Sequence, residues 1–491
     1  VYLPADKTIT VDEALNDNAK INVTTEKEID DGEYVIIADG TENYALTDKD
    51  LNAFVSDDTR ETINKMLRGN SVAFINGVLH EHTICGKESC AEEGHDAERW
   101  KGISTLSEIT SAGKYYLTES VELTKTWECK WDVDLCLNGQ TITGANNAAV
   151  ITVASNKSLN ITDCRETGTI RHAAEATGGC GIDVQGRLTL WNGTITGNPE
   201  KGVQVTGTFY MTGGSIAGNA DRGVYVRTNG KFTMSDGTIT GNAKGGVYVA
   251  ASSKFTMTGG SITGNNTASG GAGVYVGASS TAAGTFIVSG KVQITDNWKN
   301  GTLENGRYVQ GDSGARNNVF LSQKTVYPNN IVTYINIGSD GLSQDARIGV
   351  GRTSLPTTAG TGIKIATDAA DTSLDYNTNF QVDADGSEYV VSRSNDNLYI
   401  MLHSHSWTYS VSEDKATITA TCSLSRCPNP DGGSVTIKAP AEAELTYDGN
   451  AKTATLEGTF TNKKKNPEIS YTMGSEPGNN LTGGSLPTDA G

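Results

Sequence analysis

Proline and positive charge are both scarce in this sequence. Only 10 of its 491 residues are Pro, against 57 Gly. With a charged fraction of just 20%, that is not the profile of a disordered chain. Lys and Arg number 39 against 57 Asp and Glu, a formal net charge of −18. A chain this acidic does not track a phosphate backbone, so nucleic acid is excluded as the expected partner, and anionic membrane surfaces are disfavoured for the same reason. Nor does any run reach the roughly 18 apolar residues of a membrane span, so no membrane insertion is expected within these residues.

The opening Val1-Tyr2-Leu3-Pro4-Ala5-Asp6 has no basic-then-apolar signal segment, and the closing Leu486 to Gly491 reads like the middle of a repeat. A secretion signal and an anchor are therefore expected outside these residues. The eight cysteines fall in local pairs: Cys85/Cys90, Cys129/Cys136, Cys164/Cys180 and Cys422/Cys427. The even count suits an oxidising compartment, although spacing alone does not give connectivity.

What the chain does have is an internal repeat. From Gly181 it runs Gly-Ile-Asp-Val, then Leu188-Thr189-Leu190, then Gly193-Thr194-Ile195-Thr196-Gly197-Asn198. The phrase returns from Gly202, Gly223 and Gly246, and more loosely from Gly273 to Asn297. Each copy holds three short segments that alternate apolar and polar, the period of a strand, punctuated by Gly and Asn. Three such strands have no core alone, but stacked on like neighbours they build a solenoid with three faces. The expected fold class is all-β, a right-handed parallel β-helix (a pectate-lyase-like solenoid).

In that register Val224, Val226, Phe232, Met234 and Ile239 point inward. Asn198, Asn219, Asn242 and Asn265 stack at one corner as a structural amide ladder. The tyrosines of Gly-Val-Tyr-Val point outward, so Tyr225, Tyr248 and Tyr275 form an exposed row that Gln204 and Asp183 continue.

The flanks differ in texture. Residues 1–80 read as a small α+β segment, with a helix across Thr47–Arg68 and strands at Tyr34–Ile37 and Val72–Ile75. Residues 81–99 form a Cys/His-rich linker, 100–402 the β-helix, 403–440 a Cys/His-containing β segment and 441–491 a β-rich end.

The phrases Tyr115-Tyr116-Leu117-Thr118, Leu135-Cys136-Leu137-Asn138-Gly139 and the Gly-Gly-Ser-Ile-Thr-Gly-Asn coils resemble the β-helix regions of adhesin-like modular surface proteins of Gram-positive gut bacteria. That resemblance implies an extracellular, cell-surface location, with glycans or other surface components as partners. Leu445-Thr446-Tyr447-Asp448-Gly449, followed by Thr488-Asp489-Ala490-Gly491, resembles a truncated bacterial Ig-like repeat.

Three functions compete. A non-enzymatic, adhesin-like binding module would use the Tyr225, Tyr248, Tyr275, Gln204 and Asp183 row. A polysaccharide lyase or glycosidase would need converging carboxylates across one groove, yet Asp183 shares its row with Gln204, Tyr225 and Tyr248, and no catalytic residue is singled out. A purely structural stalk needs neither. Separately, His82, Cys85, Cys90 and His95 have the residue types of a zinc site, and His403, His405, Cys422 and Cys427 repeat them. Short-loop disulfides are the alternative at both places, and no other cofactor is expected.

Overall fold

In a computed structural model the described residues are 1–491 without 17, 30–33, 59, 61–62, 69, 77–80, 84–97, 327–328, 359–360, 369–375, 385–388, 404, 415, 424–430, 439–454, 461–470, 473–479 and 482–491. The molecule is all-β. A single 29-stranded sheet, overwhelmingly parallel, runs from strand Lys101–Ile103 to strand Asn397–Leu402. It is a right-handed β-helix whose strands pair with their equivalents one coil away.

The pairing register explains why the repeat folds this way. On the first face Ile182, Val203, Val224, Val247, Val274 and Val319 lie above one another. On the second face Phe209, Phe232, Phe255 and Phe286 stack with centroids 4.7–4.9 Å apart and planes within 8°. Ile195, Ile216, Ile239 and Ile262 form the third row. Val224, Val226, Phe232, Met234 and Ile239 are all fully buried. Each such side chain contributes about 1.5–3 kcal/mol relative to an exposed one.

Two glycines per coil make the corner possible. Gly241 sits at φ 65° immediately before Asn242, where a side chain is strained. Gly223 is needed for close approach: a Cβ there would lie 2.8 Å from Asn242 Nδ2, Gly246 O and Ile239 Cγ2. Through that gap runs the ladder. Asn198 Nδ2 donates to Asn219 Oδ1 at 2.8 Å, Asn219 to Asn242 at 2.9 Å and Asn242 to Asn265 at 2.9 Å. Asn297 and Asn318 extend it beyond the regular repeat.

The first 80 residues are more strand-rich than expected. The helix covers only Asp48–Ala53, not Thr47–Arg68. Phe54–Ser56 becomes a strand parallel to Ile21–Thr25, and Ile63–Arg68 pairs antiparallel with Ser71–Asn76. Phe54 is buried in the core beside Val23 and Phe74; tertiary burial overrides the helical spacing that the apolar residues also allow. Asp50 closes the short helix, accepting from Tyr44 Oη at 2.6 Å, Leu15 N at 2.9 Å and Thr47 N at 3.0 Å.

After the β-helix, Trp407–Val411, Thr417–Cys422, Asp431–Lys438 and Thr455–Phe460 form a four-stranded antiparallel sheet. The Tyr447-Asp448-Gly449 phrase lies outside the described residues.

Candidate ligand-binding face

The outward row of the first face is aromatic for four coils. Tyr225 pairs with Tyr248, Tyr248 with Tyr275, and Tyr275 with Phe320. Tyr248 and Tyr275 stack at 4.9 Å with planes 9° apart, and Tyr275 and Phe320 at 5.7 Å and 8°. Tyr225 is tilted 53° from Tyr248. Gln204 and Asp183 continue the row, with Gln204 Nε2 donating to Asp183 Oδ1 at 3.1 Å. The other Asp183 oxygen accepts from Gln185 Nε2 at 3.1 Å.

The tyrosines point outward, as strand alternation requires, but they are half-buried rather than exposed. Each ring covers its neighbour, and cations cover the edge. The Arg222 guanidinium lies 4.8 Å from the Tyr248 centroid and 5.9 Å from that of Tyr225, with Lys201 Nζ 6.0 Å from Tyr225. These are cation–π distances. Arg222 also meets Asp221 at 3.1 Å, and Lys201 meets Glu200 at 2.9 Å. Burial pushes the Tyr248 phenol up from its ordinary pKa, helped by Tyr275 and Tyr225 and opposed by Arg222.

Beside the row lies a groove of about 390 Å³ lined by Arg222, Lys244, Tyr248, Gly270, Tyr275 and Phe320. Its depth comes from Gly270, at φ 86°, where a Cβ would fall 3.0 Å from the Tyr275 ring. Sequence reasoning missed Phe320, because Asn-Val-Phe-Leu replaces Gly-Val-Tyr-Val after the irregular excursion of 298–317. It missed Arg222 as well, since nothing local tells which turn residue leans over the row.

Among the described residues Cys129 does not pair with Cys136, nor Cys164 with Cys180; Cys85, Cys90 and Cys427 lie outside the described residues. Cys136 Sγ lies 3.6 Å from Cys164 Sγ, 28 residues away and one coil on. Residues seven apart, such as Cys129 and Cys136, sit on different faces. Burial raises the Cys129 thiol to about 11 and that of Cys180 to about 12. For Cys136 the contact with the Cys164 thiol raises it, and burial adds to that. Buried thiols of this kind react slowly, because little thiolate is present at neutral pH.

Of the first zinc candidate, His82 lies on strand Glu81–His82, and Cys85, Cys90 and His95 lie outside the described residues. The second brings His403, His405 and Cys422 together, and Cys427 lies outside the described residues.

A family model for the right-handed β-helix region matches residues 148–320. That span contains the regular coils, the amide ladder and the whole aromatic row. No curated protein and no solved structure matches the chain. Among the described residues, no helix is long and apolar enough to cross a membrane.

Proposed function

We propose that this chain is part of a secreted, adhesin-like surface protein of a bacterium, and that its β-helix binds carbohydrate without transforming it. The observation that carries this reading is the Tyr225–Tyr248–Tyr275–Phe320 row with a groove along its side. A sugar ring presents an apolar face that stacks on aromatic rings, and its hydroxyls need donors and acceptors at the rim. Tyrosine hydroxyls, Ser269 and Arg222 offer both there. Rings fixed on a stiff sheet lose little side-chain entropy on binding. Glu200 and Asp221 balance Lys201 and Arg222, and Lys244 in the groove wall is the cation that favours a glycan carrying carboxylate or sulfate groups.

A glycan panel probed with the full chain, and with a Tyr225→Ser/Tyr248→Ser/Tyr275→Ser triple variant, tests the reading. A thermal melt first establishes that the variant is folded. Wild-type binding to acidic glycans that disappears in the folded variant is the expected result. Unchanged binding in the variant, or a wild type that holds no glycan, overturns it.

A further inference from the structure

We propose that His403, His405 and Cys422 form a binding site for a divalent transition metal of the zinc class. The donor atoms of the three side chains all lie within 4.8 Å of one another. A tetrahedral zinc ion about 2.3 Å from thiolate sulfur and about 2.0–2.1 Å from imidazole nitrogen sets those donors about 3.6 Å apart. Cys422 Sγ and His403 Nε2 are 3.5 Å apart.

The backbone explains how the three converge. His403 follows directly on strand Asn397–Leu402, and His405 lies two residues further. Trp407 begins the next strand and is the register partner of Cys422, which brings the thiol beneath the two rings. The rings are held in place: His405 stacks on Trp407 at 4.5 Å and 10°, and meets His403 edge-on at 4.8 Å and 84°. His403 and Cys422 are buried, so the site is screened from water.

Two imidazoles and a thiolate select zinc-like ions over calcium or magnesium, which take oxygen ligands. Among the described residues three donors converge, and a tetrahedral ion takes four ligands in all. Binding replaces the Cys422 thiol proton, which leaves to solvent, and no oxidation state changes. The metal would clasp the end of the β-helix to the strand Thr417–Cys422, bracing the start of the four-stranded sheet.

The test uses the full chain, reduced and freed of metal with chelator, then titrated with Co²⁺ and displaced by Zn²⁺. Wild type should bind one equivalent more than Cys422→Ser or His403→Gln, with a thiolate-to-cobalt charge-transfer band that the Cys422→Ser variant loses in part or whole. As a check that needs no variant, Zn²⁺ should slow alkylation of Cys422 in the wild type at least about tenfold, read by peptide mass spectrometry, and chelator should restore the rate. Equal metal content in wild type and both variants, or alkylation of Cys422 indifferent to Zn²⁺, overturns the proposal.

Discussion

Asn318 donates its side-chain amide to one oxygen of Asp383 at 2.7 Å and its main-chain N–H to the other at 2.5 Å, across 65 residues of sequence. The contact ends the amide ladder, whose rungs all face one way. Each Oδ1 accepts the main-chain N–H and the side-chain amide of the preceding rung. The last rung therefore presents two donors, and a carboxyl group supplies two acceptors. At the other end Asn198 Oδ1 meets His172 Nδ1 at 2.8 Å.

Replacing that terminal acceptor should be costly. Asp383→Ala is expected to lose about 2–3 kcal/mol by leaving buried donors unmatched, and Asp383→Asn about half as much. Denaturant unfolding with hydrogen exchange at the Asn318 amide measures both. Equal stability for Asp383→Ala and wild type would mean that the ladder needs no such end.

The corner glycine makes an independent prediction. Gly223→Ala should destabilise by about 1–3 kcal/mol, because the new methyl meets main-chain oxygen, a ladder amide and the Ile239 side chain at once. Ile239→Asp, which buries an unpaired charge in a fully buried row, should cost about 4 kcal/mol or more. A folded Ile239→Asp protein with near wild-type melting would show that the third face does not carry the core.

Alkaline pH should weaken the fold through its buried thiols. Cys129 is raised to about 11 and Cys180 to about 12 in the folded protein, above the roughly 8.5 of an unfolded thiol. Between those values the unfolded chain releases protons that the folded one keeps, so stability is complete below about pH 8.5 and falls as pH rises. Cys129→Ala should flatten the slope by about 1.4 kcal/mol per pH unit over that window. Urea midpoints from pH 8 to pH 10 give the slope directly, and identical slopes for the two proteins would rule the mechanism out.

Oxidation distinguishes the pairings. With diamide as the thiol oxidant, Cys136 should join Cys164 and not Cys129, since their sulfurs already touch. The raised Cys136 pKa makes the reaction slow and faster at higher pH. Non-reduced peptide mapping that instead recovers Cys129–Cys136 or Cys164–Cys180 contradicts the coil register.

The residues that repeat were legible in the sequence, and those that do not were hidden. Val224, Phe232 and Ile239 recur at a constant offset, so alternation and repeat length place them inward without a structure. Asp383 and Phe320 lie past the excursion of 298–317, where the repeat length no longer predicts what stacks on what. Cys136 and Cys164 meet because one coil there advances the chain by 26 residues between paired strands, as in Val133 with Leu159. The Thr47–Arg68 segment carries apolar residues that suit a helix and a hairpin equally, and burial of Phe54 decides between them.

The central claim is that the aromatic row is the binding surface, and tyrosine position tests it most directly. The best acidic glycan from the panel would be titrated calorimetrically into wild type, Tyr248→Ser and Tyr210→Ser, the last removing an exposed tyrosine from the second face. Tyr248→Ser should weaken binding about tenfold or more, a cost of about 1.4 kcal/mol, while Tyr210→Ser leaves it unchanged. Equal affinity for wild type and Tyr248→Ser, or an equal loss in both variants, would contradict it.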